Sequence, residues 1–180
     1  ALVLRPAFVV ADAPTPALDV LVEAQIIKLL HDLRENFDTS LLLITHNLGI
    51  IAEACDRVAV MYAGKIVEIG DARTVFADPR HPYTSELLRS TITLATDGLH
   101  SIPGAPPDLV SPPSGCHFHP RCPDAMTVCP LREPAMLSRD GRPVGVGTND
   151  VACWAANPAG LSEAERAPLA REELSVADEA

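Results

Sequence analysis

Apolar residues along this 180-residue chain fall into two kinds of pattern, short unbroken runs and helical stripes, and their order predicts a strand–helix–strand opening. Ala7-Phe8-Val9-Val10-Ala11 is too short for a stable helix. It is rich in β-branched valine and has Pro14 just beyond, the mark of a strand buried on both faces. The strand ends at Asp12. Over 20–36, Val22, Ile26, Leu29, Leu30 and Leu33 recur at the spacing of one helical face, while Glu23, Lys28, Asp32 and Arg34 lie mostly elsewhere. Asp19 is placed to cap that helix. Leu41-Leu42-Leu43-Ile44-Thr45 predicts a second buried strand, ending in His46-Asn47. A right-handed crossover between parallel strands puts Asp12 and His46 at the same edge of the sheet, where ligands of parallel sheets sit.

Further along, Leu48, Ile51, Ala52 and Cys55 mark a second amphipathic helix, with Cys55 as a core thiol. A hairpin is expected over 57–62 and 65–69, turning at Ala63-Gly64. A short helix should start at Asp71 and run through 76, and Pro82 takes the favoured first position of a helix to about residue 90. Ala1-Leu2-Val3-Leu4 looks like the last turn of a helix stopped at Arg5-Pro6. The first strand has no earlier strand to pair with, so the later part of a larger domain is expected.

The pattern then changes. Residues 103–134 hold nine prolines together with Gly104 and Gly115, which predicts an irregular extended path. Four cysteines, Cys116, Cys122, Cys129 and Cys153, follow the spacing C-x5-C-x6-C-x23-C. Thiolates on such a loop can converge on one centre. The paired C-x2-C knuckles usual in structural zinc sites are missing, and four-cysteine ligation suits an iron–sulfur cube. On spacing alone, zinc and iron–sulfur stand level, with two disulfides behind them. His117 and His119 could serve as zinc ligands, or pack and hydrogen-bond beside the centre. After Pro158 the chain is rich in alanine and glutamate, the composition of a solvated helix or tail.

Composition narrows the partners. A formal charge of −10 argues against nucleic acid or an anionic membrane surface. No apolar run reaches the roughly 18–20 residues that span a bilayer, and no secretory leader is expected. The cysteines are then expected in a reducing cytosol.

Three stretches carry a resemblance. Asp12-Ala13-Pro14-Thr15-Pro16-Ala17-Leu18-Asp19, Leu43-Ile44-Thr45-His46-Asn47-Leu48 and Val60-Met61-Tyr62-Ala63-Gly64-Lys65-Ile66-Val67-Glu68 resemble the second half of an ABC transporter ATPase. With His81-Pro82-Tyr83-Thr84, Leu87-Leu88 and the cysteine spacing, the chain is similar to the oligopeptide/dipeptide (and nickel) importer branch over residues 1–154. The fold implied is α/β, the C-terminal part of a P-loop NTPase sheet domain plus a small irregular cysteine-rich C-terminal module. The implied division is 1–92 for the half-domain, 93–115 for a proline-rich linker, 116–157 for the cysteine module and 158–180 for an acidic tail.

The resemblance also implies roles. Asp12 matches the Walker B aspartate that holds magnesium through water, and His46 the switch histidine at the γ-phosphate of ATP. Asp19 matches the D-loop at a dimer interface. Cys116, Cys122, Cys129 and Cys153 match the ligands of a four-iron four-sulfur cluster, here expected to be structural, with zinc as the alternative. Implied partners are a second ABC ATPase subunit and transmembrane permease subunits, at the cytoplasmic face of the cell membrane. Two departures weaken the hydrolytic centre. Ala13 occupies the position of the family's catalytic glutamate, and a methyl group neither accepts a proton nor orients water. Pro16 stiffens the D-loop entrance. The sequence has no G-x-x-x-x-G-K-[ST], glutamine loop or L-S-G-G-Q-type signature, so the 180 residues alone are expected not to hydrolyse ATP, and their sheet to be marginal without a partner half. The alternative expectation is a metal-binding interaction module with a vestigial ATPase half, or an inert remnant.

Overall fold

The computed structural model describes residues 6–13, 28, 29, 32, 39–90, 101–142 and 149–170. The chain divides into two compact units, 1–55 and 56–180.

In the first unit, β1 (Phe8–Asp12) and β2 (Ser40–Ile44) pair in parallel, with Phe8 opposite Ser40 and Asp12 opposite Ile44. Backbone bonds from Ser40 to the Ala7 carbonyl and from Ala13 to the Ile44 carbonyl extend the ladder by one step at each end. The Thr39 hydroxyl donates to the Pro6 carbonyl. The strands are where the apolar runs predicted them, but they are not buried on both faces. Phe8 is 57% exposed and Leu42 47%, because among the described residues no further layer covers that face. Lys28, Leu29 and Asp32 are helical, and the rest of the expected 20–36 helix, with Asp19 and Pro16, lies outside the described residues. The next helix, α1 (Leu48–Ala54), is capped by Asn47, whose side chain accepts from the Gly49 and Ile50 N–H groups. Cys55 stands at its C-terminal cap, half-buried, and not in a core as expected. A helix this short turns its last residue off the buried side, and only Ile50 is buried.

In the second unit, β3 (Arg57–Tyr62) and β4 (Lys65–Asp71) form the expected antiparallel hairpin, with an irregularity between Val60 and Met61. Positive φ at both Ala63 and Gly64 is the pattern of a type I′ turn, whose twist suits a hairpin. Asp71 caps α2 (Ala72–Ala77) by accepting from Thr74 N–H. Then α3 (Pro82–Arg89) starts with proline at its first turn, and the His81 ring accepts from Tyr83 N–H. Two further strands of two residues each, β5 (Leu137–Ser138) and β6 (Asp150–Val151), complete a sheet ordered β3-β4-β6-β5.

The cysteine segment does not form the separate module expected of it. Phe118 is 1% exposed and packs on Tyr62, Tyr83 and His81, at centroid distances of 5.1, 5.3 and 5.8 Å. Meanwhile β6 hydrogen-bonds directly to β4. The large aromatic side chain of the loop is buried against Tyr62 of the hairpin and the start of α3, so the loop shares their core. Residues 163–166 are a helix with no buried residue, as the solvated-helix expectation has it, but the segment is anchored at Leu161. Leu161 is buried with Val128 and Cys129, and α4 (Glu163–Arg166) carries a complete capping box from Ser162 and Glu165.

Candidate functional site

The parallel register fixes the first candidate site. Asp12 closes β1 opposite Ile44, and His46 follows Ile44 by two residues, so both stand at the same end of the two-stranded sheet. The turn after β2 is held locally: Asn47 N–H donates to the Thr45 hydroxyl at 3.0 Å, and Asn47 then caps α1. Between β1 and the segment beyond it, Ala13 has φ +42, in the left-handed region that favours glycine, while its N–H stays bonded to Ile44. Asp12, Ala13 and His46 are all exposed. An accessible carboxylate suits a hard cation such as magnesium, and an imidazole beside it suits a phosphoryl oxygen. Asp19 lies outside the described residues.

The second candidate site is the thiol loop. Gly115 has φ +68, and a Cβ there would stand 2.2 Å from the Cys129 carbonyl oxygen. That close approach lets Cys116 N–H donate to the Cys129 carbonyl at 2.8 Å, bringing the first and third cysteines side by side. Burial pushes the Cys116 thiol up to about 12, a hydrogen bond from Phe118 opposes it, and Cys129 and Cys153 add repulsion. Burial likewise raises Cys122, with repulsion from Cys153 and Cys116. Cys153 is raised by burial and then by Cys129. Cys129 is raised by burial, opposed by the Met126 N–H that donates to its sulfur. The four sulfurs therefore share one desolvated neighbourhood, and in donor type they fit four-thiolate ligation. The expected metal centre itself is not drawn in: among the described residues, no three or more His, Cys, Asp or Glu side chains are placed to hold a metal ion.

The two histidines are spoken for on one side. His117 Nδ1 meets the Ala63 carbonyl at 2.9 Å and His119 Nδ1 the Cys116 carbonyl at 2.8 Å; a carbonyl only accepts, so both nitrogens carry the proton. Burial lowers the pKa of His119, partly offset by that bond. Sequence reasoning assigned no role to Phe118 or Glu68 and read Gly115 only as part of an irregular path. Glu68 is buried and accepts from the Arg80 and His81 N–H groups. A glycine directly before a cysteine was the one available signal for such a close approach.

The profile for the C-terminal region of oligopeptide/dipeptide transporters matches residues 67–129, from within β4 to the third cysteine of the loop. The chain is 46% identical over 156 residues to the dipeptide transport ATP-binding protein DppD of Bacillus subtilis, covering 86% of this chain and 45% of that protein. It is 48% identical over 144 residues to the oligopeptide transport ATP-binding protein OppD of Salmonella typhimurium, covering 79% and 43%. This chain belongs with the oligopeptide/dipeptide importer ATP-binding proteins, over their C-terminal portion. A third relative in that group, the OppD of Bacillus subtilis, is 51% identical over 140 residues, covering 76% and 39%. The chain spans less than half the length of these curated relatives. Among the described residues, no helix is long and apolar enough to cross a membrane.

Proposed function

We propose that this chain supplies the magnesium-holding and γ-phosphate-sensing part of an energy-coupling ATPase subunit in a peptide importer. The observation that supports this reading best is the parallel register that delivers Asp12 and His46 to one rim. In this reading Asp12 holds magnesium through water, and His46 donates to the γ-phosphate as charge develops on it. Asp19 faces a second ATPase subunit, and permease subunits receive the stroke at the cytoplasmic face of the membrane. ATP is held only when a phosphate-cradling loop and a signature segment are supplied as well. Ala13 leaves the attacking water without a base, so the assembled site binds nucleotide better than it turns it over.

The test is magnesium-ATP binding by the 180-residue chain mixed with the complementary N-terminal part of Bacillus subtilis DppD. Binding is expected for the mixture, weakened by Asp12→Asn and by His46→Ala. A mixture that binds no nucleotide removes the reading. Where binding holds, Ala13→Glu should raise hydrolysis by about 10²–10⁴.

A second reading is favoured by the shared neighbourhood of the four thiols. Here the chain is a metal-binding interaction module. Cys116, Cys122, Cys129 and Cys153 would hold a four-iron four-sulfur cluster, or zinc in its place, as a staple across a loop poor in apolar side chains. Analysis of iron and acid-labile sulfide against zinc separates the metals. Nucleotide binding separates the readings.

A further inference from the structure

Residues 161–169 run back across the thiol loop as a segment with its own supports. Thr127 N–H donates to the Ala167 carbonyl, Val128 N–H to the Glu165 carbonyl and Leu169 N–H to the Ala125 carbonyl, and Met126 bridges Pro168 in antiparallel sense. The Thr127 hydroxyl adds a bond to the Ala164 carbonyl, and Arg132 pairs with Glu165 while lying over the Trp154 ring. Leu161 anchors the near end. It is buried in one cluster with Val128 and Cys129, against which Cys116, Met126 and Trp154 pack. Cys122 is outside that cluster. The segment also lies outside the 67–129 stretch matched by the transporter profile.

We propose that residues 161–169 are a strap that seals the Cys129 and Cys116 side of the thiol loop, so that its opening sets how fast electrophiles and metal ions reach those two sulfurs. The strap is joined by edge hydrogen bonds, one surface ion pair and one buried anchoring side chain, and local opening of such a segment costs far less than unfolding the unit beneath it. The inference is independent of nucleotide binding.

The test is pulsed alkylation of the full chain by iodoacetamide in reducing, chelator-containing buffer, with each cysteine followed by mass spectrometry. Leu161→Ala removes the anchor and should raise the rates at Cys129 and Cys116 by roughly tenfold or more. Ser162→Ala removes only the cap of α4 and should raise them by about fivefold. Cys122, which does not pack against the Leu161 cluster, and Cys55 in the other unit should keep their wild-type rates. Unchanged rates at Cys129 in both variants overturn the proposal. So does an equal rise at Cys122, because the loop and the segment would then open as one body.

Discussion

At the scale of single residues, His81 shows most clearly how burial sets chemistry. It is 1% exposed, its Nε2 has no hydrogen-bond partner among the described residues, and its Nδ1 accepts the Tyr83 N–H that starts α3. Burial lowers its pKa from 6.5 to about 4. The unfolded chain then binds a proton that the folded chain refuses. The stability associated with His81 is complete above the unfolded value and is lost as pH falls toward the folded one. Unfolding by urea at a series of pH values should lose up to about 3 kcal/mol across that window. His81→Asn, which keeps a capping acceptor but does not titrate, should flatten the slope. Gly115 is the second such residue. Its positive φ and the carbonyl 2.2 Å from an added Cβ make Gly115→Ala doubly unfavourable. The expected loss is about 2 kcal/mol or more, measured by the same unfolding, and the Cys116–Cys129 backbone bond goes with it. Neither the sealing of His81 nor the close approach at Gly115 follows from its local sequence. A histidine before proline reads as a cap, and only the packing of Phe118 shows that the ring is sealed in.

At the scale of elements, local signals decided most outcomes. The hairpin came out with both strands and its turn where alternation and Ala63-Gly64 put them, and α3 began at Pro82 as its ring geometry favours. The turn leaves one small debt. Ala63 is held at φ +44, a conformation that asparagine accepts more readily than alanine. Ala63→Asn should therefore raise the melting stability of the 56–180 unit by about 1 kcal/mol, without altering the His117 contact to the residue's carbonyl. Elements of two residues escaped notice. Neither Leu137-Ser138 nor Asp150-Val151 is long enough to show a period, and both become strands because β4 offers an edge to pair with. After Pro158 the composition is right about a solvated helix and silent about its anchor. Alanine and glutamate hide the single leucine that anchors the segment.

At the scale of the whole molecule, the two units differ in how much they bury. The 56–180 unit has a four-stranded sheet and an aromatic core, while in the 1–55 unit a two-stranded parallel sheet exposes Phe8, Val10, Leu42 and Ile44. Two strands without a covered face are marginal in water. Hydrogen exchange should accordingly find the amides of β2 exchanging far faster than those of β3 and β4. Equal protection in both units would contradict this account. Addition of the complementary part of a relative should slow exchange in β1 and β2, whose exposed face carries Phe8, Val10, Leu42 and Ile44.

The sequence by itself determined the order of the longer described strands and helices, the parallel pairing that lines up Asp12 with His46, and the kinship with peptide-importer ATPases. These depend on local periodicity and short motifs, which each stretch carries within itself. Tertiary structure alone decided that the cysteine loop shares a core with the hairpin, that Leu161 closes over Cys129, and that His81 is sealed against solvent. Those outcomes are burial events between residues far apart in the chain. Burial depends on which surfaces meet, and no single stretch encodes the surface that will cover it.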